Sequence, residues 1–196
     1  MTTRILSATA AAALAGSALA SVTVTTNQSL WNWQVTNGGQ TVATETFSGF
    51  DGFYPTGASG SVAGVSWTAS ASGGVYADTG LMATNFGSTA LVFTFAPGLQ
   101  GVAGNFFGTD INFNFVNSVV QVTLSDGTSY LGFSNSPTDF IGFYSATASI
   151  TSLSIAAAGV GSGDVFATAD NLYFAVPAPG AIALLGVASL VGRRRR

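Results

Sequence analysis

Between Ser21 and Ala175 the apolar residues recur mainly at every second position, in short runs cut by Gly, Asn, Asp or Pro. Ser29–Thr36 reads SLWNWQVT, which places Trp31, Trp33 and Val35 on one side of an extended segment and Leu30 with polar residues on the other. The same alternation returns in TALVFTF (Thr89–Phe95), INFNF (Ile111–Phe115), VVQVTL (Val119–Leu124) and TSYLGFS (Thr128–Ser134). It continues in DFIGFYS (Asp139–Ser145), ITSLSI (Ile150–Ile155) and NLYFAV (Asn171–Val176). No window repeats its apolar residues at the 3.6-residue period of a helix, so the body is expected to be built of strands. Several runs set apolar residues against Thr, Ser or Asn, as sheets with one solvated face do. Ser125-Asp126-Gly127-Thr128 supplies a hairpin turn, Asp-Gly being a favoured type I′ pair. About ten or more short strands at this spacing predict an all-β domain, a β-sandwich of jelly-roll-like form. A closed barrel is the other architecture that the spacing allows.

The two ends follow a different pattern. Residues 1–20, MTTRILSATAAAALAGSALA, carry one cation at Arg4, then an Ala/Leu-rich stretch, then the small-x-small signal Ala18-Leu19-Ala20. That is the layout of a secretory signal peptide, with cleavage expected after Ala20. The chain divides accordingly into a signal peptide (1–20), a β-sandwich domain (21–175) and a C-terminal tail (176–196). In the tail, Val176-Pro177-Ala178-Pro179-Gly180 interrupts strand pairing, because each proline lacks a donor and restricts the residue before it. An apolar run, Ala181–Val191, leads to the block Arg193, Arg194, Arg195 and Arg196. As a helix, Gly180–Gly192 spans about 20 Å, short of the roughly 30 Å hydrocarbon core. Its context, with an export signal upstream and a terminal Arg block, points to a short transmembrane helix with the body outside and the arginines inside.

This ending resembles the PEP-CTERM sorting signal, which joins a Pro-Glu-Pro motif, a transmembrane run and an Arg-rich tail. Here Ala178 stands where that family usually has Glu, as in its Val-Pro-Ala-Pro-Gly variant. The resemblance implies export, transient anchoring in the inner membrane, and transfer to the cell surface or extracellular matrix by an exosortase-type transpeptidase. The body adds a second likeness. Its order runs Phe93-Thr94-Phe95, Gly104-Asn105-Phe106-Phe107-Gly108-Thr109-Asp110 and Val122-Thr123-Leu124-Ser125-Asp126-Gly127. Phe140-Ile141-Gly142-Phe143, Ile150-Thr151-Ser152-Leu153 and Ala169-Asp170-Asn171-Leu172 follow. This resembles the jelly-roll-like body of many PEP-CTERM proteins, and it implies fold and location more than activity.

Composition narrows the chemistry. Of 196 residues only 7% are charged, against about 25% in an ordinary soluble domain. There is no Cys, no His and no Lys, and the five basic residues are Arg4 and the terminal block. These absences exclude Ser-His-Asp and Cys-His nucleophile systems, the usual zinc ligand set, Cys or His ligation of haem or clusters, Schiff-base catalysis and the P-loop lysine. With no disulfide to staple an exported fold, burial and backbone pairing must hold it. All eight acids lie in the body, which has no side-chain cation. Nucleic acid is excluded as a partner, since phosphate binding needs Lys or Arg to displace counterions.

What remains is carboxylate, hydroxyl, amide and aromatic chemistry. Glycoside cleavage by paired carboxylates needs two acids about 5–9.5 Å apart. Five of the eight acids sit instead in turn contexts, where Asp caps its own backbone. No cofactor is expected, the acids reading first as solvated turn residues; calcium is the alternative, because it takes carboxylate, amide and carbonyl oxygens. In jelly rolls the first and last strands are neighbours, so Glu45 or Asp51 is expected to meet Asp170 at one sheet edge. Trp31 and Trp33, two apart on a strand, read first as core residues, and the alternative reading has their adjacent rings stacking on sugars. The expected function is therefore that of a non-enzymatic surface or extracellular-matrix protein. A carbohydrate-binding module for exopolysaccharide is the alternative, and a glycoside-active enzyme a distant second.

Overall fold

A computed structural model describes residues 21–147, 149–159 and 164–178. In it the period-two runs become strands and the Gly-, Asn- and Asp-rich breaks become turns. In chain order these are β1 (Thr23–Thr25), a helix α1 (Gln28–Asn37), β2 (Gln40–Glu45), β3 (Gly52–Tyr54), β4 (Ala58–Val62) and β5 (Val65–Ser70). Then come β6 (Val75–Asp78), β7 (Leu81–Thr84), β8 (Leu91–Phe95), β9 (Gly101–Thr109) and β10 (Phe115–Val116). The last five are β11 (Ser118–Leu124), β12 (Ser129–Ser134), β13 (Phe140–Tyr144), β14 (Ser152–Gly159) and β15 (Phe166–Pro177).

All pairings are antiparallel and form two sheets. The first runs β1-β13-β9-β15-β7-β6-β3, with β10 added to β9 and β2 to β15; the second runs β12-β11-β14-β8-β5-β4. The sheets share one core. Val102, Phe106, Phe143, Leu172 and Phe174 of the first sheet pack with Trp67, Leu91, Phe93, Val120 and Leu153 of the second. Phe95 and Phe174 meet edge to face across it, ring centroids 5.7 Å apart. Each such side chain withdrawn from water stabilises the fold by about 1.5–3 kcal/mol. The expectation of two antiparallel sheets in an all-β body is met.

The long strand β15 changes partner along its length. Thr168–Asp170 pair with β7, and Leu172–Pro177 pair with β2. The switch falls at a bulge, where the register against β9 shifts between Asp170 and Leu172 and Asn171 takes a φ of 55°. β15 continues through Val176 and Pro177, which lie opposite Thr41 and Gln40. Pro177, read as strand-breaking, thus belongs to the sheet, and proline is tolerated because it closes the strand rather than occupying its middle.

Ser29–Thr36 corrects the period-two reading. The segment is helical because Asn27 caps it, its side chain accepting from the Leu30 N–H at 3.0 Å. Gly38 and Gly39 end it, with the Gly38 N–H returning to the Gln34 carbonyl and Gly39 at φ 76°. A run this short satisfies both periods, since Trp31 and Val35 are also one helical turn apart. The helix lies on the outer face of the first sheet, where Trp31 and Val35 pack with Ala103, Phe140, Tyr144 and Ala175. β9 and β13 are consequently buried on both faces, which is why GVAGNFFGT and FIGFY lack a polar side. Gly142 makes the approach possible, because a Cβ there would lie 2.6 Å from Trp31 Cδ1.

Turn chemistry differs from expectation at one hairpin. At Asp126-Gly127 only Gly127 has positive φ (87°), so the turn is not type I′. Asp126 instead accepts from the Thr128 N–H and hydroxyl. Two-residue hairpin loops with both φ positive occur instead at Ala63-Gly64 and Thr79-Gly80, which join β4 to β5 and β6 to β7. Among the described residues no helix is long and apolar enough to cross a membrane. The expected signal segment with Ala18 and Ala20, the apolar run, Pro179, Gly180 and Arg193–Arg196 lie outside the described residues.

Candidate functional site

The helix covers only part of the outer face of the first sheet. Beyond it, strand register aligns Phe53, Tyr76, Ala83, Thr168 and Phe107 across β3, β6, β7, β15 and β9. Cross-strand partners point to one face. Val75 and Ala77 belong to the inner core, so Tyr76 and Asp78, which alternate with them, point outward. The result is an aromatic strip at a sheet margin. Phe53 and Tyr76 are 47% and 40% exposed and stack with centroids 6.3 Å apart and planes 27° from parallel.

A loop builds the opposite wall. Ile111–Phe115, read from its alternation as a strand, is for the most part a turn that reaches strand geometry only at Phe115. The reason is Asp110. Its Oδ1 accepts from the backbone N–H groups of Asn112 (2.8 Å) and Asn114 (2.9 Å), and its Oδ2 from Asn114 Nδ2 (3.0 Å). A carboxylate offering such bonds draws donors away from a sheet ladder. The Asn114 amide, with the Asn114 and Asn112 backbone N–H groups, holds the Asp110 carboxyl below its ordinary 3.8. The same turn drives Phe113 to a φ of 61°, uncommon for a bulky residue, and sets its ring 5.9 Å from Tyr76.

Between strip and loop lies a cleft of about 490 Å³, lined by Tyr76, Asp78, Asn85, Asn112, Phe113 and Phe166, among others. Thr84, at its edge, is 2% exposed, and its hydroxyl has no hydrogen-bond partner among the described residues. The cleft thus joins apolar ring faces to carboxylate, amide and hydroxyl groups without a cationic side chain. Such a lining suits a ligand rich in hydroxyl groups with apolar faces.

A second hollow, about 470 Å³, meets the first at Asp78 and is lined by Phe50, Asp51, Asp170 and Asn171, with Thr46, Ser48, Thr79 and Gly80. It occupies the gap left where β15 exchanges β7 for β2. The expected meeting of the first and last parts of the domain brings Asp51 and Asp170 to one hollow, with Asp78 as a further acid. Burial raises the Asp170 carboxyl above its ordinary 3.8, opposed by the Asn171 backbone N–H. Glu45 is directed elsewhere: Oε1 accepts from the Phe47 N–H (2.9 Å) and Oε2 from Trp67 Nε1 (3.0 Å). Among the described residues no group of three Asp, Glu, His or Cys side chains is placed to hold a metal ion.

The Trp31–Trp33 platform does not form. On a helix, residues two apart point in nearly opposite directions. Trp31 is fully buried and donates Nε1–H to the Phe143 carbonyl at 3.0 Å, whereas Trp33 is 60% exposed. The aromatic surface lies instead at Phe53, Tyr76 and Phe113. Two local signals bear on it: Tyr76 takes the outward position of VYAD, and Asp110-Ile111-Asn112-Phe113-Asn114 has the side chains of an Asx-stabilised turn. No family model, no curated protein and no solved structure matches the chain.

Proposed function

We propose that this chain is a non-enzymatic exported protein of the cell surface or extracellular matrix, and that its β domain holds polysaccharide in the outer-face cleft. The observation that carries the reading is the aromatic strip Phe53–Tyr76–Phe113, partly exposed and bordered by Asn85, Asn112 and Asp78. Exposed aromatic rings offer flat faces to the C–H side of a sugar, and flanking amides and carboxylates take its hydroxyls. The opening is broad and lies along a sheet face, which suits a segment of a long chain. A jelly-roll arrangement of the two sheets belongs to the same reading, supported by all-antiparallel pairing and by β15 lying between β9 and β2.

Delivery rests on the two ends: the signal-peptide-like residues 1–20, and the PEP-CTERM-like motif, apolar run and Arg block, which suit an exosortase-type system. Mass spectrometry of surface protein tests this part. A mature C-terminus between Pro177 and Gly180 supports sorting, and an intact Arg196 refutes it. Affinity electrophoresis through gels containing neutral polysaccharides, including the producer's own, tests the binding part. Retarded mobility that is lost in Tyr76→Ala, with the circular dichroism of the parent retained, supports the cleft. Equal mobility in every gel, or retardation that survives Tyr76→Ala, removes it.

A further inference from the structure

We infer that, granted the polysaccharide reading, the cleft selects a glycan bearing free amino groups, a polymer of deacetylated amino sugar, over neutral and uronate chains. Three observations converge on this chemistry. Charge in the described body has one sign: eight acids lie between Ser21 and Ala175, and every arginine lies outside that stretch. Acids are also concentrated here, since Asp78 and Asp110 line the cleft, while Asp51 and Asp170 line the hollow that meets it at Asp78. Finally, the rings of Phe53, Tyr76 and Phe113 form one continuous strip, and an ammonium over an aromatic face is attracted by the ring quadrupole.

The groups have different roles. Both oxygens of Asp110 are taken up by Asn112 and Asn114, so it acts as a fixed negative charge that also positions Phe113. Asp78 lies on the outward face at the junction of the two hollows and is placed to pair with an ammonium. A uronate chain would bring carboxylates to a surface with no cation to receive them, and like charges repel. A neutral chain would stack on the rings without the electrostatic gain.

The test is calorimetric titration of the full chain with three six-sugar probes: β-1,4-linked glucosamine, its fully N-acetylated counterpart, and a uronate. The expected order is glucosamine tightest by about tenfold, the acetylated probe weaker, and the uronate unbound. Asp78→Asn should lower glucosamine affinity about fivefold, the scale of one exposed ion pair, and lower that of the acetylated probe, which offers Asp78 hydroxyls only, by clearly less. Raising NaCl from 0.05 to 0.5 M should weaken only glucosamine, because it shortens the screening length. Equal binding of the acetylated probe, or binding of the uronate, overturns the selectivity and leaves the polysaccharide reading standing. Glucosamine binding that persists in Tyr76→Ala is adhesion to an acidic surface and also overturns it. Failure of all three probes together with all neutral polysaccharides ends both readings.

Discussion

Replacing Trp31 by alanine should come close to unfolding the protein, whereas the same change two residues later should be almost silent. Trp31 is fully buried between α1 and the first sheet, meets Phe140 with ring centroids 6.0 Å apart, and donates to the Phe143 carbonyl at 3.0 Å. Truncating a buried Trp costs about 3–5 kcal/mol. The lost buried hydrogen bond adds about 1 kcal/mol, giving about 4–6 kcal/mol. Gly101 and Gly142 lie beneath the indole, within 3.4 and 2.6 Å of an added Cβ. Having no side chains, they cannot fill the void, which argues for the upper end of that range. A domain of ordinary stability, about 5–15 kcal/mol, would lose much of its margin. Trp33, at 60% exposure, should change stability by no more than about 0.5 kcal/mol. Urea titrations followed by far-UV circular dichroism at 25 °C suit both variants, because the signal comes mainly from the backbone and needs no tryptophan fluorescence. With a slope of about 2 kcal/mol per molar, the Trp31→Ala midpoint should fall by about 2–3 M. Midpoints for the two variants within about 0.5 M of each other would refute the assignment of α1 as a packed lid.

Two further outcomes follow from the acids. Glu45→Gln keeps the shape but sets an amide NH₂ against one of two N–H donors, those of Phe47 and Trp67. The cost should be about 1–3 kcal/mol, and a calorimetric Tm equal to or above that of the parent would contradict it. Asp170 has a carboxyl raised above 3.8 by burial, so the folded state holds its proton more tightly than the unfolded chain. Its contribution to stability therefore falls as pH rises from the unfolded value through the folded one. Asp170→Asn should raise Tm at pH 7, with the gain shrinking as pH falls through the raised value toward 3.8 and absent below it. A gain of the same size at pH 3 and pH 7 would count against burial as its cause.

What the amino-acid sequence determined by itself was the material of the fold: strand segments, the breaks between them, and the sign of the charge. β8, β11, β12 and β13 fall within one or two residues of the runs that announced them, because alternation records which residues meet water. Composition likewise removed whole classes of chemistry, since an absent Lys, His or Cys is absent in any conformation. Tertiary structure decided which period a short ambiguous run adopts, and what lies beside what. Trp31 and Val35 satisfy both periods, and the uncovered face of β9 and β13, together with the Asn27 cap, selects the helix. Ile111–Phe115 alternates like a strand, yet Asp110 competes for its backbone donors and makes it the wall of a cleft. The aromatic strip joins Phe53, Tyr76 and Phe113, which are distant in sequence, through strand register and one strained turn. Alternation is local, whereas a binding surface depends on long-range pairing, and that pairing was settled only when the two sheets closed on a common core.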